Sequence, residues 1–196
     1  TIQQGIRALT NQIETNIWLA AYKTSSRAYG TAATTPFGTA ADFSDWAGVA
    51  RIMDDNGVPG AGRRMVVGSA ALNNVRAKQS SLFKVNEAGS DELLRTGNLG
   101  SVMGFEMFHS QPIGVHTKGT GTGYLLNSAA TTVGTTTIPA DTGSGTLLAG
   151  DIVTFAGTTD KYVVNTALAG GSFTIGRPGL LVGETDNDSI TIGNSY

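Results

Sequence analysis

Past Lys118 the chain changes its rhythm. Turn-forming residues return roughly every 8–12 positions, and the stretches between them are short, β-branched and rich in threonine. Such spacing leaves no room for full-length helices, so this half is restricted to short strands closed by tight turns. Strands are expected at Leu147–Ala156, Lys161–Asn165, Ser172–Ile175 and Ser189–Ile192, with two more at Gly119–Tyr124 and Val133–Ile138. Five or six strands in so short a stretch suit a small barrel or sandwich.

The residues before Lys118 follow a different period. Ile2, Ile6, Leu9, Ile13, Ile17 and Ala20 recur three or four positions apart and make one apolar stripe of a long opening helix. That helix is expected to fade over Ser25–Gly30, and Thr31–Ala41, with Pro36, reads as a loop. A second helix is expected to be capped by Asp42 or Ser44, to bury Trp46, Val49, Ala50 and Met53, and to stop at Asn56-Gly57. Gly57–Gly62 reads as a turn and Arg63–Val67 as a short strand. Ser69 is expected to cap a helix that turns Leu72 and Val75 inward. Ser90 is expected to cap a shorter one, Asp91–Arg95, ended by Gly97, before a strand over Gly104–His109. Trp18 and Trp46 both read as helical core positions.

Charge follows the same boundary. Residues 1–118 hold 11 Lys+Arg against 9 Asp+Glu, and residues 119–196 hold 2 against 6. Neither half is basic enough to argue for nucleic-acid binding. The 196 residues contain no cysteine, which excludes disulfides, thiolate metal sites and cysteine nucleophiles together. No uninterrupted apolar run reaches the roughly 18 residues of a spanning helix, and no basic, then apolar, leader pattern is visible.

Candidate chemistry is sparse. The two histidines, His109 and His116, have no cluster of metal-ligand residues beside them in sequence, so each is expected on the surface or in an ordinary hydrogen bond. Ser81-Leu-Phe-Lys84 matches the Ser-x-x-Lys pattern of penicillin-recognising enzymes, but the Ser-Asp-Asn and Lys-Thr-Gly elements that complete that chemistry are missing. A loop with a core Phe83 is the expectation. Gly119-Thr-Gly-Thr-Gly123 is rich enough in glycine to cradle phosphate, yet no strand–turn–helix surrounds it, and a hinge between modules is expected. Gly57–Gly62 lacks the Lys-Ser/Thr ending of a phosphate loop. Glu184, Asp186 and Asp188 alternate like calcium ligands, but the remaining loop ligands are absent, so a solvated turn is expected. Arg63-Arg64 is a lone basic pair, facing either water or an acidic patch of another subunit. No catalytic, cofactor-binding or metal-binding residue is assigned, and no cofactor is implied.

Two longer stretches carry a resemblance. Asp45-Trp-Ala-Gly-Val-Ala-Arg-Ile-Met-Asp-Asp-Asn-Gly-Val-Pro-Gly60 runs into Arg63-Arg-Met-Val-Val-Gly-Ser-Ala-Ala-Leu72, and Leu93-Leu-Arg-Thr-Gly-Asn-Leu-Gly-Ser-Val-Met-Gly-Phe-Glu-Met-Phe-His-Ser110 follows. This order resembles the major capsid proteins of tailed bacteriophages. Gly150–Gly157, Lys161–Val164, Phe173–Ile175 and Pro178–Leu180 resemble the β module that interrupts the HK-ninety-seven-type capsid fold in its P-twenty-two-type coat branch. The resemblance implies an α+β chain. A long spine helix (1–29) and an α/β domain (42–118) would form a capsid-fold core over 1–118, and a barrel-like insertion would occupy 119–196. Family members also carry an N-terminal arm, an extended loop and further core strands, so the chain is expected to be part of a longer coat protein.

The function so implied is that of a structural, non-catalytic capsid subunit of a phage or prophage. It would be made in the bacterial cytoplasm and sit in the virion. Its partners would be copies of itself and scaffolding, portal or decoration proteins, with no specific nucleic-acid sequence and no membrane. The competing reading is an extracellular carbohydrate-binding or adhesion module, supported by the Thr/Gly-rich β segment and opposed by the opening helix and the lack of clustered aromatics.

Overall fold

The computed structural model describes residues 2–84 and 91–193. The chain is a mixture of helices and strands that divides into two compact units. One comprises residues 1–15 and 29–114, the other residues 16–28 and 115–196. The step between them falls at Gly114–Val115, and the end of the opening helix with the residues after it groups with the β-rich unit.

Helix α1 spans Ile2–Thr24. Its apolar stripe is not a core face. Ile2 is 85% exposed and Ile13 50%, and none of the helix's residues is fully buried. The half-buried positions are Glu14, Thr15, Trp18, Tyr22 and Lys23. At about 100° per residue, Glu14, Trp18 and Tyr22 lie on the side of the helix away from Ile2, Ile6, Leu9, Ile13 and Ile17. The stripe therefore corrects the expectation of a buried spine. The bulkier, partly polar ring side chains take the packed face, and Trp18 is only half-buried, its ring 5.0 Å from that of Tyr22.

In the first unit, α2 (Ser44–Asp55) buries Trp46 and packs Val49, Ala50 and Met53 against the same cluster, as the helical spacing predicts. The expected caps differ. Phe43 holds the cap position, and Asp42 accepts hydrogen bonds from the Ser44 amide (2.8 Å) and hydroxyl (2.9 Å), forming a turn just ahead of the helix. Gly57 follows the helix with φ +70°, the left-handed conformation for which a glycine is suited. Strand β1 (Arg64–Val67) leads into α3 (Ser69–Lys78), where Ser69 is the first helical residue rather than its cap and Val75 is fully buried. A short 3-10 turn spans Ser80–Phe83 and α4 spans Glu92–Thr96, stopped by Gly97. The expected cap at Ser90 and the core position of Phe83 lie outside the described residues and side chains.

Strands β2 (Ser101–Val102) and β3 (Phe105–His109) complete a three-stranded sheet in the order β1-β3-β2, with β1 parallel and β2 antiparallel to β3. Alternation along β3 sends Phe105 and Met107 into the core with Trp46, Val67 and Val75, while Glu106 and Phe108 face out. The loop before α2 is firmly held. Phe37 stacks on Trp46 with centroids 4.0 Å apart, its amide donates to Asp45 (2.5 Å), and the fully buried Gln79 donates to the carbonyls of Phe37 (3.3 Å) and Thr39 (2.7 Å).

The second unit is a closed six-stranded barrel, one of the two architectures, barrel or sandwich, that the turn spacing allows. Its strands are β4 (Tyr124–Leu126), β5 (Thr137–Asp141), β6 (Ile152–Phe155), β7 (Tyr162–Ala169), β8 (Ser172–Ile175) and β9 (Ser189–Ile192), closed in the order β4-β5-β8-β7-β6-β9. Every ladder is antiparallel. Leu126, Ile138, Val153, Tyr162, Val164 and Phe173 fill the interior. Ser26–Ala28 add to β7, with the Val163 amide donating to Ser26 (3.3 Å) and the Ala28 amide donating to Lys161 (3.2 Å). Arg27 lies 4.1 Å over the Tyr162 ring and donates to the Gly179 carbonyl at 3.0 Å.

Candidate functional site

One dense polar arrangement in the barrel unit is built on three residues far apart in sequence. Asp151, in the turn that enters β6, has a fully buried carboxylate. Gly119 donates its amide to both oxygens (3.0 and 3.2 Å), Leu148 donates its amide to Oδ2 (2.7 Å), and His116 Nε2 lies 2.8 Å from Oδ1. The other imidazole nitrogen, Nδ1, is 3.2 Å from the Tyr22 hydroxyl. A carboxylate only accepts, so His116 donates from Nε2. In the tautomer protonated at Nε2 alone, Nδ1 is an acceptor facing the Tyr22 hydroxyl. Burial first, and then the Asp151 charge, push the Tyr22 phenol above its ordinary range. Close contacts enforce the arrangement. A Cβ on Gly119 would lie 2.1 Å from the Thr146 carbonyl oxygen.

Chemically, the imidazole is held in place between a buried carboxylate and a phenol. It sets the direction of its two hydrogen bonds and ties the end of α1 to the Asp151 turn. The sequence gives no sign of it, because His116 and Asp151 are 35 positions apart and Tyr22 is 94 from His116. The one local signal is Gly150-Asp151, a turn dipeptide directly before a strand.

The other candidates fall in different places. His109 Nε2 lies 3.0 Å from Ser69 Oγ, joining the end of β3 to the start of α3. Ser81 Oγ is buried and without a hydrogen-bond partner, so it makes no bond to the Lys84 side chain. Gly119–Gly123 is not a hinge. Its Thr120, Gly121 and Thr122 amides donate to Thr146 Oγ1 and to the carbonyls of Thr146 and Ser144 at 2.8–3.1 Å, a close pairing that the small residues permit. Arg63 folds back on the Gly57–Gly62 turn, donating to Asp54 (2.6 Å), Val58 (2.6 Å) and Pro59 (3.0 Å), and Arg64 pairs with Glu106 at 3.1 Å. Both arginines are thus engaged inside their own unit.

The acidic stretch acts as a set of turn braces. Asp188 accepts from the Thr185 amide (2.6 Å) and hydroxyl (3.0 Å), and Asp186 accepts from the Ser128 amide (3.1 Å). Glu184, expected in a solvated turn, is only 4% exposed. Among the described residues no group of three or more His, Asp or Glu side chains is arranged to hold a metal ion, and no helix is long and apolar enough to cross a membrane.

No family model matches the sequence, and no curated protein matches it. Solved structures do. One of them, a chain from Mycobacterium phage Che8, superposes with a TM-score of 0.50 at 17% identity. This chain is similar in fold to a phage protein. The likeness covers 100% of this chain and 57% of the phage chain, so this chain spans a little over half of its length. At that identity the phage chain speaks for fold and not for any particular residue.

Proposed function

We propose that this chain is a structural subunit of a bacteriophage or prophage icosahedral capsid, built on the HK-ninety-seven-type fold of the P-twenty-two-type coat branch, assembling with copies of itself and performing no catalysis. The observation that carries this reading is the outward-facing apolar stripe of α1, in a chain whose fold is similar to that of a phage protein. Five large aliphatic side chains on one helix face, each half or more exposed, favour a surface that is covered when the protein works. Capsid subunits bury such surfaces against neighbours, on the order of 800 Å² per partner in a specific contact. Closed symmetry then turns many modest contacts into one stable particle. The short, braced turns of the barrel suit a module that keeps its shape while its host domain assembles.

Electron microscopy and size-exclusion chromatography of the full-length gene product test the reading. Regular shells or capsomers are the expected result. A monodisperse monomer that binds glycans would overturn it in favour of an adhesion module.

A further inference from the structure

Glu184 precedes β9 in a segment that is laced to residues 128–131. Thr131 donates its amide to the Glu184 carbonyl (2.9 Å), and the Glu184 amide donates to Thr131 Oγ1 (3.0 Å). Asp186 holds the Ser128 amide, and Asp188 closes the turn on Thr185. The lacing brings the Glu184 side chain almost wholly out of water, and its Oε1 is buried with no hydrogen-bond partner. Ionisation would leave that buried oxygen charged with no donor to repay its desolvation. The charged groups that act on it are Asp188, at the end of its own segment, and Asp160, in the turn before β7. Both are anions, so they add repulsion.

We propose that Glu184 is a proton-operated clasp on the barrel. With the carboxyl neutral, the 184–188 segment stays laced to 128–131. When the carboxyl loses its proton, the buried charge drives the segment outward and this side of the barrel loosens. The inference rests on the barrel alone and stands whether or not the chain serves a capsid. Burial, then Asp188 and Asp160, raise the Glu184 carboxyl above its ordinary range, which agrees with the direction of the switch.

The sign is fixed by linkage. An acid with a raised folded-state titration binds its proton more tightly when folded. Its contribution to stability is complete below the unfolded carboxyl range and is lost as pH rises through the folded one.

Hydrogen exchange of the Thr131 and Glu184 amides, corrected for the intrinsic pH dependence of exchange, reads the clasp directly in a pH series that starts at the ordinary carboxylate range, about 4, and rises through the folded-state titration. The wild-type chain is expected to lose protection there several-fold as pH rises. Glu184→Gln, neutral at every pH, is expected to keep high protection throughout. Asp188→Asn, which removes one repelling charge, is expected to let Glu184 ionise earlier and so to move the loss to lower pH. A Glu184→Gln chain with the same pH dependence as wild type would overturn the proposal, as would wild-type protection that does not change. Should Glu184→Gln fail to fold, an unshifted transition in Asp188→Asn would overturn it equally.

Discussion

Gly150 lies so close to Tyr22 that a Cβ built on it would sit 2.3 Å from ring carbon Cε2. The same backbone position has φ +99°, outside the range that side-chain-bearing residues adopt readily. Gly150→Ala is therefore expected to push the ring off His116 and to destabilise the barrel unit by about 1–3 kcal/mol. Thermal unfolding checks it, and an unchanged midpoint would show that the ring moves aside freely.

Asp151 offers a comparison of two substitutions. Asp151→Ala leaves the Gly119 and Leu148 amides and the His116 Nε2 without their acceptor, a loss of about 2–5 kcal/mol. Asp151→Asn is expected to cost clearly less. An amide NH2 placed at the Oδ1 position can donate to His116 Nε2, while the carbonyl oxygen at the Oδ2 position keeps the Gly119 and Leu148 amides, and the imidazole then carries its proton on Nδ1 and donates to the Tyr22 oxygen. Denaturant titration of both variants gives the ranking. Equal losses would mean that the tautomer cannot exchange.

Tyr22 sets the alkaline limit of the same cluster. Its phenol is held above its ordinary range by burial and by Asp151. The neutral form is thus favoured in the folded state, and its contribution is lost as pH rises through the folded-state titration, above the unfolded value of about 10. Tyr22→Phe removes this dependence together with the hydrogen bond to His116. The variant is expected to be less stable at neutral pH and to lose less on going to high pH. Parallel stability curves for the two chains would contradict the assignment.

The α1 stripe separates folding from association. Ile13 is half exposed, so Ile13→Asp is expected to change the stability of the isolated chain by no more than about 0.5 kcal/mol. Val75→Asp, at a fully buried position of α3, should prevent folding of its unit. If the stripe is covered in the working protein, Ile13→Asp should abolish association while leaving circular dichroism and the melting midpoint unchanged. A large fall in the midpoint of the isolated chain would show that the stripe is buried after all.

Local pattern carried much of the architecture. The alternation of Phe105 and Met107 and the helical spacing of Trp46, Val49, Ala50 and Met53 each have one physical solution at their own scale, and the turn rhythm beyond Lys118 narrows the second unit to a small barrel or sandwich. The α1 stripe shows the limit. Periodicity finds an apolar face, but whether that face meets the same chain or another molecule depends on what lies opposite. Here Trp18 and Tyr22, on the other side of the helix, take the packed position. The charge step at Lys118 was a further product of sequence order. Divided into the compact units, the chain holds 8 Lys+Arg against 9 Asp+Glu in one and 5 against 6 in the other, because Lys23, Arg27 and Lys118 fall with the barrel. The Tyr22–His116–Asp151 cluster was illegible for a related reason. Its members are brought together by a closed barrel and a helix end, and no spacing rule reaches across such distances.

Trp46 is sealed in the first unit beneath Phe37, and Trp18 stands half-buried beside Tyr22 in the second. These two are the chain's only tryptophans, so each body carries one indole fluorophore. Emission from Trp46 belongs to a dry, stacked indole and should lie to the blue, whereas Trp18 should emit to the red and be open to acrylamide. Trp18→Phe and Trp46→Phe would then give two single-colour chains, and the melting of each body could be followed by light alone, without a label.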